Sequence, residues 1–272
     1  MGVSQRQELA IEDVTLRYDD AGTGEPPLLL LHGFAGAAID FVDVIGPLAT
    51  ERRVVAYDQR GHGDSTNTSD PATYTFDQLT ADLAAFVDAL RLARFDLLGH
   101  SMGGIISMRY VLAHPERVRS LVLMDTGAAP AARLADVFGG LTAIGREQGM
   151  DAVFRVIRRF WLQQAEATGV PVDDVIMSRV ESKFSRMDPE AFAAFADALG
   201  EYPSMVERLG EITCPVTVIV GENDAGLRTS ADVLAERIPS AELVVIADAG
   251  HSPQEDQPDV WTDAVRQHLT RV

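Results

Sequence analysis

Cys214 is the one cysteine among 272 residues, so no disulfide can close within the chain and no thiolate cluster can hold a zinc ion. Basic charge is also scarce: 23 Lys and Arg stand against 41 Asp and Glu, a formal net charge of −18. A surface field of that sign repels phosphate backbones and anionic membrane faces, which argues against nucleic acid or a membrane as partner. Long apolar runs are missing too. Aliphatic stretches such as Leu28 to Leu31 are far too short to span a bilayer, and the opening residues Met1 to Ala10 are polar where a signal peptide would carry its apolar segment. A soluble, cytoplasmic protein is the expectation. Hydrophobic residues at 46% and charged residues at 24% exclude a disordered chain. There is no internal repeat, low-complexity tract or long linker.

What is present is an alternation of short apolar runs with helical stretches, the pattern of βαβ units feeding a mostly parallel sheet with helices on both faces. Leu28–Leu31, Val54–Tyr57, Phe95–Leu98, Leu121–Met124, Val216–Val220 and Leu243–Ala247 each read as a buried strand bounded by turn residues. Glu8–Ile11 and Val14–Tyr18 read as an antiparallel edge ribbon. The alternation stops after Met124 and resumes at Pro215, leaving about 80 residues of helical periodicity. This stretch reads as a helical cap at 128–209, inserted into a core domain formed by 1–127 and 210–272. Within it Val153, Phe154, Val156, Ile157, Phe160 and Trp161 recur at helical spacing, and Asp188-Pro189 supplies an N-cap and a preset first turn.

The most informative motif is Gly99-His100-Ser101-Met102-Gly103. As letters, G-x-S-x-G arises by chance in roughly one chain in ten of this length. Here it lies between the strand Phe95–Leu98 and a helical stretch beginning at Gly104, and that context removes most accidents. In such a turn the nucleophile is strained, and side chains two positions away on either side would collide as strand and helix approach.

On these residues the chain resembles the α/β-hydrolase family over nearly its whole length. The resemblance implies an eight-stranded, mostly parallel sheet and a triad in the order Ser, acid, His, each at the carboxyl end of a different strand. Ser101 is then the nucleophile and His251, in Asp248-Ala249-Gly250-His251, the general base. Asp224, in Gly221-Glu222-Asn223-Asp224, is the first choice for the orienting acid. Asp125, ending the strand Leu121–Met124, is its rival, while Asp248 and Glu222 suit turn or surface roles. The resemblance also places oxyanion donors on the amides of Met102 and Phe34, in the loop His32-Gly33-Phe34-Ala35-Gly36. In this reading Gly33 allows a tight turn, the Phe34 ring lines the pocket and His32 is structural. Gly33, Phe34 and Trp161 are the candidate substrate-binding residues.

Other signals carry less. Asp58-Gln59-Arg60-Gly61-His62-Gly63-Asp64-Ser65 reads as a loop stabilised by turn contacts, not a metal site. Gly22-Thr23-Gly24 lacks the strand, helix and acid of a dinucleotide site. Arg155, Arg158 and Arg159 read as a solvated helix face, and His268 as a solvated residue of the C-terminal helix.

Serine at position 101 argues against dehalogenases and epoxide hydrolases of this family, which use Asp there. Epoxide opening also calls for two cap tyrosines, and this cap contains only Tyr202. Acyl transfer remains, with Ser101 attacking and His251 moving the proton, and it requires neither cofactor nor metal. Eight of the 18 aromatic residues fall in the cap, which suits an apolar pocket and small to medium esters, lactones or related acyl compounds. Two family alternatives stay open: a carbon–carbon hydrolase of vinylogous diketo acids and a cofactor-free perhydrolase. The first commonly has Asn before the serine and Trp after the histidine, where this chain has His100 and Ser252. A hydrolase-fold small-molecule receptor is the reading from a different class. Monomer and homodimer are equally compatible with the sequence.

Overall fold

In the computed structural model, which describes residues 5–130, 132–168 and 172–272, eight strands form one sheet. They are β1 (Gln5–Ile11), β2 (Val14–Ala21), β3 (Leu28–Leu31), β4 (Val54–Tyr57), β5 (Phe95–His100), β6 (Val118–Met124), β7 (Val216–Gly221) and β8 (Ala241–Ile246). Their spatial order is β1-β2-β4-β3-β5-β6-β7-β8. The β1–β2 ribbon is antiparallel and joins β4 antiparallel; every pairing from β4 to β8 is parallel.

Strands β3 and β4 are apolar at every position because both faces are covered. Leu29, Leu31, Val55 and Tyr57 point into one core and Leu28, Leu30, Val54 and Ala56 into the other. Helices α1 (Val42–Leu48) and α10 (Pro258–Thr270) contribute Val44, Ile45, Trp261 and Val265 to the second core. The first core receives Leu83 and Phe86 from α2 (Phe76–Ala89), Ile106 from α3 (Met102–Ala113) and Leu234 from α8 (Arg228–Arg237).

Between β6 and β7 the chain forms α4 (Ala132–Gln148), α5 (Met150–Thr168), α6 (Asp174–Arg186) and α7 (Pro189–Glu201), and no strand among the described residues. Asp188 caps α7, accepting from the Glu190 amide, and its Oδ2 also accepts from Tyr74 Oη at 2.6 Å and the Ser69 amide at 2.8 Å. One carboxylate therefore starts a helix and fastens it to the core. The two ends of the insertion lie side by side: the Met205 amide donates to Ala128 O at 2.7 Å, and Tyr202 Oη to Gly127 O at 3.0 Å and Ala129 O at 2.6 Å.

Three readings from sequence need correction. Helix α3 begins at Met102 rather than Gly104, because Ser101 O already accepts from the amides of Gly104 at 2.9 Å and Ile105 at 3.3 Å; the two glycines let this first turn pack closely, since a Cβ on Gly103 would lie 2.5 Å from Leu31 O and one on Gly104 2.6 Å from Thr126. Strand β8 runs from Ala241 to Ile246 and is largely half-exposed, since it pairs only with β7 and forms the sheet edge. His268 is buried at 1% exposure, with Nδ1 2.8 Å from Thr217 Oγ1, and burial pulls its pKa down to about 4. It extends the buried stripe Trp261, Ala264, Val265 of α10 at helical spacing.

Candidate active site

Parallel register aligns the carboxyl ends of β5 to β8, so residues that follow different strands meet at one rim. His100 pairs with Met124, and Met124 with Ile219. The chain leaves β5 through Ser101, whose φ of 52° and ψ of −117° are unfavourable for a side chain with a Cβ. Tight fastening offsets that cost. The Ser101 amide donates to Met124 O at 2.9 Å, and Thr126 Oγ1 donates to Ser101 O at 2.7 Å. The flanking glycines permit the turn sterically, since a Cβ on Gly99 would stand 2.4 Å from Gly103 O.

Ser101 Oγ lies 3.1 Å from His251 Nε2, and His251 Nδ1 lies 2.7 Å from Asp224 Oδ2. The structure thus brings Ser101, His251 and Asp224 into one hydrogen-bonded line. Burial raises the Asp224 carboxyl, but the hydrogen bond and charge interaction with His251 outweigh it and hold the pKa below the usual value. Asp125 lies beside Asp224 without facing His251: its Oδ1 accepts from the Gly221 amide at 3.0 Å, and burial, reinforced by the neighbouring Asp224, lifts its pKa to about 9. The carboxylate that faces His251 is that of Asp224. Glu222 accepts from the Asp248 amide at 3.1 Å, a turn contact involving both remaining acids.

Gly36 N donates to Gly33 O at 3.1 Å, closing a turn with Phe34 and Ala35 at its centre. The left-handed position is Ala35, at φ 54°, not Gly33. Gly33 is needed for close approach instead, because a Cβ there would stand 3.0 Å from Ser101 Cβ and 3.2 Å from His100 Nδ1. His32 braces this loop, donating from Nδ1 to Gly33 O at 2.8 Å and accepting the Gln59 amide on Nε2 at 3.0 Å. Met102 opens α3, where its amide has no acceptor within the helix.

A cavity of about 570 Å³ opens on Ser101 and His251, lined by Gly33, Phe34, Phe138, Leu141, Trp161 and Phe184 among others. The Phe34 ring stacks on Phe192 at 4.9 Å and meets Phe138 edge-on at 5.0 Å. Arg155, Arg158 and Arg159 lie exposed on α5, away from this cavity's lining. A separate cavity of about 400 Å³ is bordered by Arg6, Asp58, Asp64 and Arg186, which pair with one another. Among the described residues, Asp125, Asp224 and His251 are close enough to share a metal ion, but both nitrogens of His251 are already engaged within the protein.

Sequence reasoning missed His100. Its ring is buried, and Nε2 lies 2.7 Å from the carbonyl of His251. A carbonyl only accepts, so Nε2 carries the proton; burial, with His251 nearby, pulls the pKa of His100 down to about 3 and keeps the ring neutral. His100 therefore holds the backbone of the residue that faces Ser101. The signal was its place beside the serine, and nothing along the chain pointed to residue 251 as its partner.

A family model described as "alpha/beta hydrolase fold" matches residues 26–258. The chain belongs to that family. The 3-oxoadipate enol-lactonase 2 of Acinetobacter baylyi is 27% identical over 269 residues, covering 98% of this chain and 97% of the relative. A 2-hydroxy-6-oxononadienedioate/2-hydroxy-6-oxononatrienedioate hydrolase of Pseudomonas putida is 29% identical over 275 residues, covering 95% and 93%. Among solved structures, a thermophilic esterase from Thermogutta terrifontis superposes with a TM-score of 0.82 at 28% identity, over 98% of each chain. The eight-stranded, mostly parallel sheet expected from sequence is the fold observed, and hydrolases, a lactonase among them, are prominent among the chain's relatives.

Proposed function

We propose that this protein is a serine hydrolase that cleaves small to medium apolar esters, lactones or related acyl compounds through an acyl-enzyme on Ser101. The observation that carries the reading is the unbroken line from Ser101 Oγ through His251 to Asp224. A serine hydroxyl is a poor nucleophile at neutral pH, so its proton must pass to an imidazole as the bond to the acyl carbon forms. Asp224 keeps the proton of neutral His251 on Nδ1, leaving Nε2 free to accept, and stabilises the imidazolium that results. His251 then protonates the leaving group, and water activated by the same nitrogen releases the acid. The oxyanion is assigned to the amides of Phe34 and Met102, whose fixed dipoles contribute about two to three orders of magnitude in such sites.

The substrate range rests on the aromatic cavity and on a lactonase and an esterase among the relatives. Trp161, Phe34 and Gly33 are its proposed contacts. The protein acts in the cytoplasm on a small molecule in this reading. Carbon–carbon cleavage is the second reading, favoured by the dienedioate hydrolase at 29% identity; His100 and Ser252 depart from the residues common in that group. Ser101→Ala tests the proposal. Burst release of p-nitrophenol from short-chain esters and labelling by a fluorophosphonate should both vanish with the thermal melt unchanged, and retained turnover would overturn the mechanism.

A further inference from the structure

The cavity has a charged wall that the proposed chemistry leaves unused. Lys183 of α6, Asp40 of the turn Ala38–Phe41, Glu255 of α9 (Pro253–Asp256) and His100 all border it. Lys183 is 9% exposed and Asp40 5%, and the two form an ion pair. The other Asp40 oxygen accepts from the Ala37 amide at 3.1 Å, so this carboxylate is fixed in place. Glu255 Oε1 and His100 Nδ1 are buried without a hydrogen-bond partner. With the proton of His100 on Nε2, its Nδ1 presents a lone pair.

A single ammonium in an apolar cavity is a natural receptor for a substrate carboxylate. Here that role is already filled from within. An incoming carboxylate would compete with Asp40 for Lys183 and would meet Glu255 on the same wall, losing its water with no cation in exchange. The neighbouring groups do not reverse this balance: Arg179 of α6 is paired with Asp43, and Asp256 adds another acid beside Glu255.

We propose that this wall restricts the pocket to substrates that are uncharged where they meet it, with Asp40 and Glu255 as the residues that reject carboxylates. The inference rests on the serine-hydrolase reading and narrows its substrate class to neutral esters and lactones. Burial raises the pKa of Glu255 to about 7, with Lys183 opposing and Asp40 reinforcing that shift. The charge on the wall therefore grows more negative as pH rises through neutrality, and so does the rejection.

The test compares paired esters that differ only in a terminal amide or carboxylate, placed in one series on the acyl side and in another on the alcohol side. The ratio of kcat/KM within a pair cancels any effect of pH on the chemical step, which both substrates share. In the wild type the amide should be favoured by about tenfold or more at pH 8 in at least one series, the scale of one nearby charge in a part-buried site. That ratio should narrow at pH 6. Glu255→Gln should lower the ratio at pH 8 and flatten its pH dependence, and Asp40→Asn, by releasing Lys183, should raise turnover of the carboxylate ester. Should Asp40→Asn fail to fold, Glu255→Gln carries the test alone. Equal or better use of the carboxylate in both series, or an unchanged ratio in folded Glu255→Gln, overturns the inference. Failure of the underlying mechanism looks different: the neutral ester would still turn over in Ser101→Ala.

Discussion

Replacing Asp224 by Asn removes one charge and one acceptor while keeping the volume. At the observed 2.7 Å between Asp224 and His251, Coulomb attraction at an effective dielectric of about 20 amounts to about 6 kcal/mol for the imidazolium form. His251 exposes 49% of its side chain, and solvent screening reduces the usable part to about 3 kcal/mol, on the order of a hundredfold in rate. The amide also donates where the carboxylate accepted, favouring the tautomer with the proton on Nε2, which cannot take a second one from Ser101. Together the two effects should lower kcat by about 10³ to 10⁴. Asp125→Asn is the matched control. Burial and the neighbouring Asp224 raise the Asp125 pKa to about 9, which favours its uncharged form, and an amide keeps both the acceptor for Gly221 and a donor toward Asp224, so its kcat should change by less than about threefold. Stopped-flow release of p-nitrophenol at pH 7 to 8, with a thermal melt of each variant, decides the matter. A larger loss at Asp125, or a loss below about tenfold at Asp224, would refute the assignment.

Acid should weaken the fold through its buried histidines. His32, His62, His100 and His268 have folded pKa values lowered to about 4, 3, 3 and 4 by burial, against about 6.5 when unfolded. The unfolded chain therefore binds more protons between about pH 6.5 and 4, and stability falls as pH falls through that window. Urea melts at pH 7, 6 and 5 should show the decline, and His268→Gln should reduce the slope by about one proton; an unchanged slope would deny that His268 is neutral in the fold. Gly103→Ala places a methyl 2.5 Å from Leu31 O and should destabilise by more than about 2 kcal/mol, read as a lowered Tm; a wild-type melt would show that α3 can shift away from β3.

The sheet was legible because its inner strands are buried on both faces and so read as mostly apolar runs. Strand β8 was misjudged for the converse reason, being equally apolar in sequence yet half-exposed at an edge. The turn at Ser101 was legible because sterics confine glycine to its flanks, and that requirement is local. The requirement at Gly33 is not local: what forbids a side chain there is Ser101 and His100, remote along the chain. Contacts between separate strand ends, such as His100 with the carbonyl of His251, or Lys183 with Asp40, exist only after the register is set. His268 is the exception, since its i+7 spacing from Trp261 was visible from the start.

The paired ends of the helical insertion have an architectural consequence. Because Ala128 and Met205 are hydrogen-bonded neighbours, the parallel layer needs no rearrangement to accommodate the excursion between β6 and β7. A different set of helices, or a short loop, could be spliced in at the same doorway while the turns after β5, β7 and β8 stay as they are. What such an exchange would have to keep are the few fixed ties to the layer beneath, such as Asp188 with Tyr74 and Lys183 with Asp40.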